Sequence, residues 1–233
     1  MKRSVVVSIF LLFAELQSVE ADLATRWLHT SAEYQAIVRQ TYTLATRLVR
    51  EKIGGRDPGS WAVALDIDET LLSNSPYLWE LQTQNLQSTS ERWDAWVRRQ
   101  QAPPLPGAVE FLQQVHEWGG RIVIVTNRHL AECPDTETNL EKHAIPYDII
   151  LCREDEREKE ARWEAVQKGT ASPDLPPLEI LLWMGDYITD FPDLDQALRF
   201  KGSESFSLFG TRYLVIPNPV HGSWTKNTSA TAH

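Results

Sequence analysis

The residues best placed to do chemistry are carboxylates. Asp66-Ile67-Asp68-Glu69-Thr70 follows the apolar run Trp61-Ala62-Val63-Ala64-Leu65. Side chains two apart on an extended segment face the same way, so Asp66 and Asp68 can address one small ligand while Ile67 packs inward. Taken alone, the pattern is more simply a capped turn, with Asp68 or Thr70 bonding to the backbone beyond it. Two further sites change that balance. Arg121-Ile122-Val123-Ile124-Val125 leads into Thr126-Asn127-Arg128, and Leu181-Leu182-Trp183-Met184 leads into Gly185-Asp186, with Asp190 four residues on. Asp66, Asp68, Asp186 and Asp190 would then crowd one place. Two like charges about 4 Å apart repel by about 4 kcal/mol at an effective dielectric of 20, and a hard divalent cation removes the conflict. Oxygen ligands without His or Cys favour Mg2+.

The elements that must position these residues follow from the apolar pattern. Continuous apolar runs are the mark of strands buried on both faces. Strands are expected from Trp61 to Ile67, Arg121 to Thr126, Asp148 to Cys152, Glu179 to Met184 and Tyr213 to Pro217, alternating with helices. That alternation predicts an α/β fold, a Rossmann-like, right-handed parallel sheet sandwiched by helices. Ligands of such sheets bind outside the carboxyl ends of the strands, where all three polar motifs fall. Ser31 is placed to cap a long helix running to about Ile53, ended by Gly54-Gly55. Ser172 to Pro177 forms a longer connection than a helix-to-strand turn needs, and the polar tail from Ser223 is expected to fray. The Asn227-Thr228-Ser229 sequon is read as chance.

With these motifs in order, the chain resembles the haloacid dehalogenase (HAD) superfamily, in the subfamily of class C nonspecific acid phosphatases, which includes lipoprotein-e type 5'-nucleotidases. Trp27 to Tyr34 resembles the family's amino-terminal helix, Asn74-Ser75-Pro76-Tyr77 follows the first motif, and Pro106 to Phe111 opens the helix before the second. The resemblance implies Mg2+-dependent hydrolysis of phosphomonoesters, nucleoside monophosphates among them. Asp66 would be the nucleophile that forms an aspartyl-phosphate, and Asp68 would protonate the leaving group and then activate water, which needs a poised pKa. Asp66, Asp186 and the Asp68 carbonyl would hold the metal. Thr126, Asn127 and Lys159 would bind phosphate. Lys159 sits in the charge run Arg153 to Glu160, which by itself reads as a solvated helix face. The family's Lys-x-x-Arg-aromatic pattern, matched by Lys159-Glu160-Ala161-Arg162-Trp163, selects it over Lys142 and Lys168. Asp190 would be an outer residue orienting metal-bound water or Lys159, or else a helix cap.

Related chemistries differ at these positions. Dehalogenases resembling this fold lack the second aspartate, phosphonatases use a lysine from a separate cap, ion pumps have an Asp-Lys-Thr context, and plant storage proteins similar to the family lack the nucleophile. Two alternatives remain beside hydrolysis: phosphotransfer to an alcohol, and non-catalytic ligand binding on a phosphatase scaffold. A small helical cap, formed by about residues 22–55 and 72–104, would choose the substrate. Tyr77, Trp79, Trp93 and Trp96 lie there; Trp79 and Trp96 are expected to fill its core, while Trp93 matches a family ring that clamps the leaving group. The opposing ring would come from Pro217 to Trp224, where relatives often have tyrosine at the place of His221. Imidazole offers less stacking surface and a charge near neutral pH.

Lys2 and Arg3, the apolar stretch Val5 to Phe13 and small residues before Asp22 read as a secretory signal over residues 1–21. That predicts a periplasmic or secreted protein with a single phosphatase domain over 22–233, and no membrane anchor, since no cysteine stands near the cleavage point. The net charge of −9 over 233 residues gives no basic surface for nucleic acid. Cys133 and Cys152 are the only cysteines, open to a disulfide in an oxidising compartment or to burial of Cys152 as a strand residue.

Overall fold

The computed structural model describes residues 22–228, so the reading of residues 1–21 as a signal, and Ser229 of the sequon, lie outside the described residues. Five strands, β1 (Trp61–Leu65), β2 (Arg121–His129), β3 (Ile149–Arg153), β4 (Glu179–Gly185) and β5 (Tyr213–Val215), form one sheet in the order β3-β2-β1-β4-β5. Every pairing is parallel. β1 lies at the centre, and all five of its residues are buried. Side-chain alternation divides them between two cores. Trp61, Val63 and Leu65 join Ile122, Ile124 and Met184 on one face, while Ala62 and Ala64 join Val123, Val125 and Trp183 on the other.

Helices cover both faces. The first carries α2 (Ala32–Lys52) and α5 (Ala108–Glu117), whose apolar stripes contribute Val38, Tyr42, Ala45, Phe111 and Val115. The second carries α7 (Glu160–Lys168) through Trp163 and Val166. Ser31 caps α2 by accepting the Tyr34 amide at 3.0 Å. The same residue is extended, so residues 27–34, expected as one helix, are split between α1 (Leu23–Thr30) and α2. Asp22 caps α1 through the Thr25 amide, and Gln82 ties α1 to α3 (Ser75–Thr83) by a 2.7 Å bond to Thr25. α3 and α4 (Ser90–Arg99) follow the first motif and precede α5 in the chain, and α1 packs on α3. No helix among the described residues is long and apolar enough to cross a membrane.

Several boundaries differ from the sequence expectation. β1 stops at Leu65 because the chain turns at once: the amides of Thr70, Leu71 and Leu72 all point to the Ile67 carbonyl, and Glu69 adopts a φ of 52°. β2 runs three residues past Thr126, to His129, where it again pairs with β3 at Arg153 after a register shift. Ser223–Lys226 is a short 3-10 turn rather than a frayed tail, held by Gln196 bonds to Ser223 at 2.9 Å and Asn227 at 2.8 Å. Trp79 is half-buried and outside the core, stacked on His29 at 4.8 Å. Cys133, at the start of α6 (Cys133–Lys142), is disulfide-bonded to Cys152 of β3, with 6.3 Å between Cα atoms.

Candidate active site

The carboxyl ends of β1, β2 and β4 open into a cleft of about 610 Å3. Asp66 and Asp68 reach it from the β1 turn, Asn127 and Arg128 from β2, and Asp186 and Asp190 from the loop after β4. The Asp66 amide is anchored on the Met184 carbonyl at 3.0 Å, and the Tyr42 hydroxyl of α2 holds the Thr70 carbonyl at 2.6 Å. These bonds fix a turn that would otherwise be free to choose its path.

Lys159 is buried between two carboxylates, its Nζ 2.6 Å from Asp66 Oδ1 and 2.6 Å from Asp190 Oδ1. Burial opposes its charge, but Asp190 and Asp66 outweigh that and raise its pKa, so it is a cation at any ordinary pH. Lys159 is therefore brought into the site, not turned to solvent as a charge run suggests. Asp190 reaches Lys159, one of the roles weighed for it, and it closes the turn before Phe191 rather than capping a helix after it. One oxygen grips Lys159, and the other accepts the Tyr187 amide at 2.8 Å, closing a 3-10 turn. Gly185 is required beside it, since an added Cβ there would overlap the Asp190 side chain.

The two motif aspartates are in opposite electrostatic states. Burial, with Asp190 and Asp68 nearby, pushes Asp66 up to about 7 despite Lys159. Burial acts on Asp68 too, but the Arg128 guanidinium and hydrogen bonds from Arg128 and Asn74 overcome it and hold that carboxyl below its ordinary value. The neighbours that set the Asp68 pKa are thus Arg128 and Asn74, and the direction they set is downward. Arg128, itself buried, meets Asp68 Oδ1 at 2.8 Å, is braced by Thr136 at 2.9 Å, and lies 5.6 Å from the Trp93 ring centre. Sequence reasoning gave Arg128 no role. Its place one residue after Asn127 was the available signal, but only the extension of β2 aims it.

Asp66, Asp186 and Asp190 each offer an oxygen within 4.8 Å of the others. Burial, then Asp190 and Asp66, raise Asp186 well above its ordinary range. Three buried carboxylates cluster where one ammonium pairs with only Asp66 and Asp190, and the donors are all oxygen, so the residues present fit a hard divalent cation. Asp186 is steered by the Asn218 amide at 2.6 Å. With both Asp190 oxygens already engaged, Asp66 and Asp186 are the carboxylates best free to hold the ion.

Thr126 is fully buried and its hydroxyl accepts the Arg128 amide at 3.2 Å; it lies beneath the cleft. Asn127 lines the cleft, its side-chain oxygen bound by Arg162 at 2.9 Å, while the same guanidinium reaches the Thr126 carbonyl at 2.6 Å. Trp93 lines the cleft, with Tyr77 edge-on at 5.8 Å. Tyr77 also lines the cleft, stacked on Trp96 at 5.9 Å and bonded to Ser88 at 3.1 Å. Trp96 is buried as expected, and its indole also donates to Asn74 at 2.7 Å, the residue that bonds Asp68. His221 reaches the cleft but is not a free ring. Its Nε2 lies 2.8 Å from buried Glu69 and its Nδ1 2.6 Å from the Tyr187 hydroxyl. Burial lowers its pKa, but Glu69 more than compensates and the net shift is upward. Tyr187, unremarked in the sequence, is the aromatic residue that lines that side.

The acid phosphatase family of HAD subfamily IIIB matches residues 11–224. The chain belongs to that family. A class C acid phosphatase from Bacillus anthracis superposes with a TM-score of 0.77 at 27% identity, over 86% of this chain and 84% of that one. A structure of the class C acid phosphatase from the same organism with tungstate bound gives 0.76, with the same identity and coverage. A 77-residue stretch is 35% identical to the stem 31 kDa glycoprotein of Glycine max, covering 33% of this chain and 30% of that protein, so the match spans under a third of that relative's length. The likeness in fold covers the parallel sheet and its flanking helices.

Proposed function

We propose that this acid phosphatase family member hydrolyses small phosphomonoesters through an aspartyl-phosphate on Asp66, with Mg2+ as cofactor and nucleoside monophosphates among its substrates. The observation that carries the reading is the pairing of Asp66 with Lys159 at the carboxyl end of β1. Lys159 engages Oδ1, and among the described residues none donates to Oδ2, which leaves that oxygen to attack phosphorus. The ester P–O bond breaks as the Asp66–phosphorus bond forms, and Asp68 gives its proton to the leaving oxygen. Asp68, then ionised, takes a proton from the water that releases phosphate and restores Asp66. Arg128 holds Asp68 low, which ties its proton-donating form to acidic solution. Lys159 and the Asn127 amide stabilise the oxygens on phosphorus, with Thr126 supporting that backbone. Mg2+, held by Asp66, Asp186 and the Asp68 carbonyl, would neutralise phosphoryl charge.

The tungstate complex of the Bacillus anthracis enzyme supports a tetrahedral oxyanion as ligand. The helical segment 72–104, which brings Asn74, Tyr77 and Trp93 to the cleft, serves as the part of the cap that meets the leaving group, while α2 of segment 22–55 covers the sheet; the protein acts in the periplasm or outside the cell. The test is phosphate release by residues 22–233 from a panel of phosphomonoesters, with and without EDTA. Wild-type turnover that EDTA abolishes and Asp66→Asn eliminates is expected; full activity of Asp66→Asn with metal retained would refute the mechanism. Addition of glycerol separates hydrolysis from phosphotransfer through the appearance of glycerol phosphate.

A further inference from the structure

The run Arg153-Glu154-Asp155-Glu156-Arg157-Glu158-Lys159-Glu160 holds three cations and five carboxylates, and the fold sorts them. Lys159 goes to Asp66 and Asp190, while Arg153 and Arg157 line the cleft. None of the five acids of the run lines it. A merely solvated charge run would not be divided so cleanly. On a chain of net charge −9, this rim is a local exception that the proposed chemistry at Asp66 does not use.

The Arg153 side of the rim is held in place, while Arg157 is exposed at its edge. His129 of β2 pairs with Arg153 of β3 in strand register, and the adjacent Cys152 is fastened by its disulfide to Cys133. The Arg153 guanidinium meets the His129 ring, closest at Nε2 and also 3.1 Å from Nδ1, a contact with no carboxylate in it. Its Nε is buried without a partner, and the Arg157 side chain has no ion-pair partner among the described residues. Glu132 is the one carboxylate on this rim; its Oε2 accepts the His129 amide at 2.6 Å, and its Oε1 is buried without a hydrogen-bond partner. Arg162, by contrast, is spent on Asn127 and backbone carbonyls. Two arginines with donors to spare, facing a shared cleft, are a receptor for an anion.

We propose that Arg153, Arg157 and His129 form a second phosphate subsite, so that the preferred substrates are small molecules bearing two separate phosphate groups. This rests on the phosphomonoesterase reading of Asp66. His129 stands two residues beyond Asn127, about 7 Å along an extended strand, which sets the two phosphates roughly a sugar unit apart. One phosphate is hydrolysed at Asp66 while the other is held unreacted by the arginines. Trp93 also lines the cleft and serves the organic part.

The experiment compares kcat/KM for adenosine 3',5'-bisphosphate with that for each of its two monophosphates, and for fructose 1,6-bisphosphate with its two monophosphates. The bisphosphate of at least one pair should exceed its best monophosphate by about tenfold or more, the scale of one charge-assisted hydrogen bond. The pair that shows the gain tells whether a nucleobase is needed. In Arg153→Gln and Arg157→Gln the ratio should fall towards one; because it is a ratio, a general loss of folded enzyme leaves it unmoved. No advantage for either bisphosphate, or an advantage that survives both substitutions, overturns the subsite. If no phosphoester is turned over, the underlying reading fails instead, and calorimetric affinities of the same ligands still decide the subsite: equal binding of bisphosphate and monophosphate refutes it.

Discussion

The Arg128 guanidinium grips Asp68 with two nitrogens, Nη2 at 2.8 Å from Oδ1 and Nε at 3.1 and 3.2 Å from the two oxygens. A planar fork of this kind fixes both the position and the charge of a carboxylate, whereas a lysine supplies charge alone. Asn74 adds a bond at 2.8 Å from the other side. Asp68 is thus oriented by residues that need not touch substrate.

Two substitutions separate these effects. Arg128→Lys keeps the charge and loses the fork, so kcat should fall by about 10- to 100-fold with little movement of the pH optimum. Arg128→Gln removes the opposing charge, so the Asp68 pKa rises and its proton-donating form persists to higher pH. The optimum should then move upward as well as kcat falling. pH–rate profiles of both variants provide the check; an unmoved optimum in Arg128→Gln would contradict Arg128 as the group that holds Asp68 ionised.

Stability of the metal-free protein should fall as pH rises from about 4 to about 7. Asp66 titrates near 3.8 in the unfolded chain but at about 7 in the buried site, so the unfolded chain loses its proton first and unfolding is favoured across that window. His221 acts in the same direction: its raised pKa gives stability below about 6.5 that is lost as pH climbs through the folded value. Asp68, shifted the other way, matters only in more acid solution. Thermal melts in EDTA should show this slope, Asp66→Asn should lessen it while Asp186 and His221, also raised, keep the remainder, and Mg2+ should raise Tm more at pH 7 than at pH 4. A Tm independent of pH across this range in EDTA would mean that the Asp66 carboxyl is not strained by its burial.

The Cys133–Cys152 disulfide closes a loop with a sequence separation of 19. A loop of that size contributes about 3 kcal/mol, which in a domain of this length is a Tm difference of about 6–12 °C. Melts of the oxidised protein against the Cys133→Ser, Cys152→Ser double variant measure it directly. Alkylation before reduction should label neither cysteine of the native protein.

The sequence made the strands and the first-motif carboxylates legible because buried parallel strands are apolar throughout, and Asp66 and Asp186 interrupt that pattern at the strand ends. Lys159 was legible only by resemblance, since a charge run carries no periodic signal saying which cation turns inward. The sorting of Arg153 and Arg157 from their acidic neighbours is a tertiary fact with no local cause. Arg128 was hidden for another reason: β2 was expected to end at Thr126, and the extra residues that aim the guanidinium depend on β3 pairing again at Arg153. His221 illustrates the limit of single-residue reading, because its role follows from a Glu69 contact across 152 positions.

Trp93 joins substrate binding to the chemistry. One face of its environment is the cleft, and the Arg128 guanidinium lies 5.6 Å from its ring centre. Trp93→Ala should therefore have two separable effects. Loss of the stacking surface raises KM for aromatic or nucleoside esters by about tenfold, the scale of one lost stack, and leaves KM for glycerol phosphate nearly unchanged. Loss of the support beneath Arg128 lowers kcat for every substrate alike, because Asp68 is less well held. Trp93→Phe keeps a ring and should recover most of both. Steady-state kinetics on one aromatic and one aliphatic ester distinguish the two effects; equal KM changes for both esters would show that Trp93 supports the site without touching the leaving group.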